Sequence, residues 1–226
     1  MKEILQIETI GLLILLNSCS NKSLSNYYFP INEKSEIKVY KFIDPKNIEP
    51  GFYWRTKTNP SKATLITESI NSDFQLYNTF EEQIKNGKAQ LINYVEYEEN
   101  NSKEIIAAIK EHQVFDSDKS KTYSYKVEYK NKYGKMTSKK KRKFLGFETI
   151  EVQGKKYKTA KFKDEYFIEL IDLNEKFGFD EICYYAKGIG MIKSERFIET
   201  NEVITKELEK ILTDEEFNKI KNKASR

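Results

Sequence analysis

Acid–base or nucleophilic chemistry needs a reactive side chain beside a partner that moves its proton, and this chain offers few such pairs. Of its 226 residues one is a histidine, His112, and two are cysteines, Cys19 and Cys183. That count excludes a structural zinc cluster and a multi-disulfide scaffold, and no motif pairs either Cys with the His. No G-x-S-x-G elbow presents a serine, so His112 has no nucleophile to activate and reads as structural or exposed. Lys187-Gly188-Ile189-Gly190 contains G-x-G but lacks the third glycine of a dinucleotide fingerprint, and reads as a hairpin turn. No cofactor is implied. Carboxylates remain: among the 35 Asp and Glu, Asp164 with Glu165, or Asp172 with Glu175, would suit a hydrolase if they converged across a cleft. A carboxylate-dependent envelope hydrolase is therefore the alternative to a non-enzymatic binding or assembly module, which the sparse catalytic inventory favours.

Two further groups of side chains could bind rather than react. Trp54 and the Tyr-rich segments could line a concavity for sugars or acyl chains, the rings supplying apolar area and the hydroxyls orientation; they could equally form the packed face of a sheet. The one dense basic run, Lys139-Lys140-Lys141-Arg142-Lys143, reads as a solvated loop or an edge strand blunted by lysines. Its functional counterpart is contact with anionic headgroups or polysaccharide.

Cys19 has its own context. Ile10 to Leu16 is an unbroken run of Ile, Gly and Leu. As a helix, seven residues rise only about 10 Å against a hydrocarbon core of ~30 Å, too short to span, so the run is a signal-peptide h-region or a buried strand. Leu16-Asn17-Ser18-Cys19 resembles the lipobox of bacterial lipoproteins. That resemblance implies a signal peptide over residues 1–18, an acylated Cys19 as lipid anchor, and membrane attachment through it. The polar residues that follow predict a tether over 19–27. The mature chain would carry 38 basic and 33 acidic side chains, a net +5, a weak balance for a nucleic-acid partner.

The body that must position these groups follows a period of two. Tyr123, Tyr125, Val127 and Tyr129 alternate with polar residues, the mark of a half-buried strand. Similar runs recur at 37–43, 52–58, 63–70, 74–80, 89–97, 144–152, 157–162, 166–173, 181–186, 191–199 and 203–212, and residues 102–115 lean to strand. Asn86-Gly87 and Gln153-Gly154 mark hairpins, Asp164-Glu165 reads as a further turn, and no long apolar segment supplies a crossover helix. Thr213-Asp214-Glu215-Glu216 is a capping box for a helix over about 214–223. The expected architecture is mainly β: a single domain over 28–226, built as one curved antiparallel sheet or half-barrel and partly closed by the C-terminal helix. Charged residues make up 33% of the chain and apolar residues fall below the usual share, so the core is modest and the surface heavily solvated.

Tyr28-Phe29-Pro30, then Phe52-Tyr53-Trp54, then Tyr184-Tyr185-Ala186-Lys187-Gly188-Ile189-Gly190-Met191-Ile192-Lys193-Ser194-Glu195 resemble the ends of a group of bacterial envelope lipoproteins. In that group a YFP…W start and a YYAKGIGLVK hairpin bracket a sheet similar to the half-barrel of lipoprotein carriers. The resemblance implies an envelope location, periplasmic or surface-exposed, and a fold class more than an activity; the binding-module reading adds an apolar ligand or an envelope protein as partner. The resemblance carries over no catalytic residue.

Overall fold

A computed structural model describes residues 23–31, 34–98, 103–198 and 202–224. The signal-peptide segment 1–18 and Cys19 lie outside them. Thirteen strands follow in order: β1 (Ile37–Ile43), β2 (Phe52–Asn59), β3 (Thr64–Asn71), β4 (Leu76–Lys85), β5 (Lys88–Tyr97), β6 (Glu104–Ile106), β7 (Ala108–Asp116), β8 (Thr122–Asn131), β9 (Gly134–Val152), β10 (Lys155–Leu170), β11 (Glu175–Ala186), β12 (Gly190–Phe197) and β13 (Val203–Leu212). Helix α1 (Asp214–Ala224) ends the chain. The turns explain the strand order. Asn86 and Gly87 both take positive φ (52° and 72°), as do Gln153 and Gly154 (49° and 74°), the geometry of tight hairpins.

Apart from β6 and β7, which both pair with β5 on the side away from β4, each strand pairs antiparallel with its neighbour in sequence. The last strand then returns to the first, with Val39 opposite Leu212 and Ile43 opposite Glu207. The result is a closed up-and-down barrel of twelve strands with β6 as a short extra, where the sequence predicted an open sheet or half-barrel. Period-two patterning fixes which face is buried, but closure depends on whether the two terminal strands meet. All thirteen strands and the helix lie within residues 23–224, so a chain beginning at Ser20 carries the whole barrel.

Two sequence expectations change with closure. Asp164-Glu165 is no turn, because β10 runs unbroken through it, with Asp164 directly opposite Arg142 and Glu165 opposite Lys141 on β9. The basic run is likewise neither loop nor edge strand. It is mid-strand in β9, paired with β8 on one side and β10 on the other.

The helix does not close the barrel either. Strand alternation sends Tyr40, Phe42, Phe52 and Trp54 into the lumen and Val39 and Tyr53 outward, and α1 packs on that outer face. Phe217, nearly fully buried, meets the ring of Tyr53 at 5.2 Å and of Phe74 at 5.9 Å. Arg55 holds Asp214 at 2.7 Å and Glu68 at 2.8 Å. The capping box forms as expected, Thr213 N–H donating to Glu216 at 2.8 Å and Glu216 N–H to Thr213 Oγ1 at 3.2 Å.

A barrel this wide cannot be filled by wall side chains alone. One end is sealed by residues 24–29, part of which the sequence placed in a polar tether. Leu24 and Tyr27 are instead buried in a 3₁₀ turn, and Gly188 N–H, in the β11–β12 turn, donates to Asn26 O at 2.9 Å. The ring of Phe29 lies where a side chain at position 190 would stand: a Cβ there would come within 2.5 Å of it, and Gly190 has φ +102°. The YFP segment and the YYAKGIG hairpin thus form one plug.

Candidate functional site

Above the plug the lumen holds a cavity of about 780 Å³. Its floor includes Tyr28, Arg142 and Tyr185. It reaches the opposite barrel end, beside the β1–β2, β3–β4 and β10–β11 connections, through Pro50, Ser72 and Ile168. The volume falls within the roughly 300–1,000 Å³ of small-molecule sites. Trp54, the chain's single tryptophan, lines it, as do the rings of Phe52, Phe80, Tyr125, Tyr166 and Phe179. The sequence left open an aromatic-lined concavity or a packed sheet face, and both occur: Trp54 and Tyr125 line the cavity, while Tyr123 and Tyr129 pack in the core.

The polar groups at its base were not foreseen. Arg142 donates to both oxygens of Asp164, at 2.6 and 2.5 Å, and both side chains are essentially inaccessible. Burial alone would raise the Asp164 carboxyl, yet the guanidinium outweighs it and holds the group below the usual carboxylate range. Lys140 Nζ lies 3.6 Å from Asp164 Oδ2 and over the rings of Tyr125 (5.2 Å) and Tyr166 (5.7 Å). Tyr166 donates to Glu181 at 3.2 Å, and Tyr28 reaches across the lumen to donate to Glu82 at 2.8 Å. Burial, joined for Glu181 by the Asp164 charge, raises both glutamates above the usual carboxylate value. Cys183 points its thiol at Asp164 (3.5 Å) and Glu181 (3.6 Å), and burial pushes that thiol well up. At the mouth Glu49 contacts Arg196 directly and lies 3.4 Å from Lys206, whose ammonium also donates to Pro50 O at 2.9 Å.

Adjacent strands therefore bring together residues that the sequence left unconnected. Alternation was the available signal, since Phe162, Asp164, Tyr166 and Ile168 share one parity, as do Lys140, Arg142 and Phe144. The proposed carboxylate pairs do not form a site. Asp164 points inward and its chain neighbour Glu165 lies on the other face, where it pairs with Lys141 and Lys163. Asp172, at the β10–β11 connection, accepts from Lys135 N–H at 3.0 Å. Asp164 and Glu181 do approach, but side by side on one wall, and Arg142 occupies both oxygens of Asp164. With Cys183 they offer three ligand atoms within 4.8 Å of one another. A bidentate guanidinium, a second cation and a thiol that holds its proton do not suit a metal ion.

The outer wall is a lattice of charge. Lys139 pairs with Glu111 (2.6 Å), Lys163 with Asp180 (2.7 Å) and Lys161 with Glu148 (3.0 Å). A bilayer-spanning barrel carries an apolar band there, so this wall faces water. The basic run forms no cationic patch: Lys140 and Arg142 are inside, and Lys139 and Lys141 are paired with acids. His112 is exposed, its Nδ1 3.2 Å from Leu91 O.

No family model matches the chain, and no curated protein does. Among solved structures, the chain resembles a protein from Bacteroides fragilis described as exported and of YmcC-like fold, at 15% identity and a TM-score of 0.54, over 82% of this chain and 99% of that one. It also resembles a protein from Parabacteroides distasonis described as a lipoprotein, at 18% identity and a TM-score of 0.53, over 81% and 97%. What the chain shares with both is the YmcC-like barrel fold.

Proposed function

We propose that this chain is a lipid-anchored cell-envelope protein whose barrel lumen binds a small molecule with a substantial apolar portion, without catalysing a reaction. The observation that carries the reading is a cavity of about 780 Å³, open at one end, sealed at the other and lined by aromatic rings. Its base carboxylates are engaged by the protein itself, Asp164 by Arg142 and Glu82 and Glu181 by tyrosine hydroxyls. Two similar structures are of proteins described as exported or as a lipoprotein, which supports an envelope location.

Anchoring through Cys19 would fix the orientation. Ser23 lies at the plugged end, and the four residues back to Cys19 reach at most about 14 Å. The acyl chains would therefore enter the membrane near the plug, and the mouth would face away from that leaflet.

Native mass spectrometry of residues 20–226, purified from cells and then titrated with candidate ligands, tests the lumen. A bound or titratable small molecule of one-to-one stoichiometry is expected, and its absence across acyl and saccharide ligands would refute the binding reading. The anchor has its own test. The full chain recovered from membranes should lack residues 1–18 and carry an acyl increment, and a Cys19→Ser variant should not.

A further inference from the structure

At the base of the cavity one cation has no carboxylate of its own. At the base, Arg142 and Asp164 cancel as a bidentate pair. Lys140 then has a single ion pair among the described residues, at 3.6 Å, to the same Asp164 oxygen that Arg142 binds at 2.5 Å. An ammonium carries three donors. This one is only 13% exposed, lines the cavity, and otherwise faces two tyrosine rings, which attract a cation but accept no strong hydrogen bond. The remaining base carboxyls, Glu82 and Glu181, form no ion pair with Lys140 among the described residues, and each instead accepts a tyrosine hydroxyl. From Lys140 toward the mouth Phe80, Trp54, Phe52, Phe179, Ile168 and Ile204 give the wall an apolar face, with Asn78, Ser138 and Ser194 beside them and Arg196 and Lys206 at the rim.

We propose that the lumen takes an anionic amphiphile, its negatively charged oxygens seated on Lys140 and its apolar body lying along the aromatic wall toward the mouth. This rests on the lumen being a binding site and adds the class of ligand. Lys140 supplies the charge and up to three donors, Tyr125 and Tyr166 fix its ammonium in place, and the low local dielectric strengthens the contact over its value in water. A carboxylate and a phosphate monoester share the needed chemistry.

The test uses residues 20–226 stripped of bound lipid, with Trp54 fluorescence reporting occupancy from the cavity wall. The probes are dodecanoate, dodecyl phosphate, dodecanol and dodecyltrimethylammonium, each below its micelle concentration. At least one anion should bind tenfold or more tightly than the alcohol, and the cation most weakly. Preference for one anion over the other identifies the head as carboxylate or phosphate. Lys140→Met keeps the apolar stem without the charge; it should bring the anions down to the alcohol's affinity and leave the alcohol unchanged. Arg196→Met, at the mouth, should leave the anion preference intact. Four probes binding alike would refute the head assignment and leave the lumen reading standing. Loss of anion preference in Arg196→Met alone would move the head to the mouth and overturn the role of Lys140. Failure of all four to bind would overturn both readings. Unchanged far-ultraviolet circular dichroism in each variant keeps a folding defect from imitating any of these results.

Discussion

Asp164→Asn should be the most damaging conservative change in the barrel. The substitution is isosteric, but it leaves the Arg142 guanidinium, 3% exposed, with no carboxylate in its plane. Breaking a buried ion pair by removing one partner costs about 3–5 kcal/mol, because the surviving charge stays desolvated. The cavity above can admit water to Arg142, which places the cost near 3 kcal/mol. Arg142→Met should cost somewhat less, since Lys140, 3.6 Å away, still faces the carboxylate. The double variant removes both charges, so its cost should fall short of the sum by roughly 2–3 kcal/mol, the coupling expected of a contacting pair. For a chain of this length each kcal/mol is worth about 2–4 °C, so Asp164→Asn should lower Tm by roughly 6–12 °C. The assay is urea and thermal unfolding of residues 20–226 in the four members of the cycle. The depressed Asp164 carboxyl also sets a pH signature: its contribution is present above the unfolded carboxylate range near 3.9 and is lost as pH falls through the lower folded value. Single-variant costs that add within about 0.5 kcal/mol would refute the claim that Arg142 and Asp164 act as one unit.

Other predictions concern the plug, the buried glutamates and the helix. Gly190→Ala should destabilise by about 1–3 kcal/mol through its positive φ alone, and further by driving the Phe29 ring from its place; in a Phe29→Ala background only the backbone part should remain, as a denaturation cycle would show. Glu82→Gln and Glu181→Gln mimic the neutral carboxyl that burial favours. Both folded values are raised, so the wild-type contribution is full below the unfolded range and lost as pH rises through the folded value, and each variant should gain Tm at pH 8 but not at pH 4. Phe217→Ala should cost about 3–5 kcal/mol, or less if the helix detaches by itself, and limited proteolysis should then clip the C-terminus while Trp54 emission, from the opposite face of β2, stays unchanged.

Local features were legible from residue types. Turns showed themselves where backbone geometry demands glycine or asparagine, at Asn86-Gly87 and Gln153-Gly154, and the helix start showed itself through Thr213 and Glu216, because these depend on neighbours a few residues apart. The path of β10 through Asp164-Glu165 was not legible in that way. Two adjacent carboxylates disfavour a strand locally, and only their partners on β9, Arg142 and Lys141, make the pairing favourable. The two charge clusters that looked like a turn and a solvated run are complements, 22 residues apart for Arg142 and Asp164. The plug hid for a related reason. Leu24 and Tyr27 sit among polar residues, and only the closed lumen gives them a surface to cover.

Closure also accounts for a composition that reads as poor in core. A barrel buries one face of each strand inward, so alternate residues are free to be charged, and the outer lattice of Lys and Glu takes up much of the 33%. Twelve strands enclose more space than their inward side chains fill, and the protein answers this in two ways along the barrel axis. Near the plug it inserts its own N-terminal rings, with Tyr28 stacked on Phe115 at 4.5 Å and Phe29 edge-on to Tyr40 at 5.5 Å. Toward the mouth it leaves the space open. The charges stand between these halves. A luminal core of similar size could be built from Leu and Phe alone, and replacing a buried ion pair by apolar residues is often neutral or stabilising. Arg142, Asp164 and Lys140 are therefore poorly explained as devices for holding the barrel together. On the proposed reading, Lys140 is there for the anionic head it would meet, and Arg142 and Asp164 hold the base on which it stands.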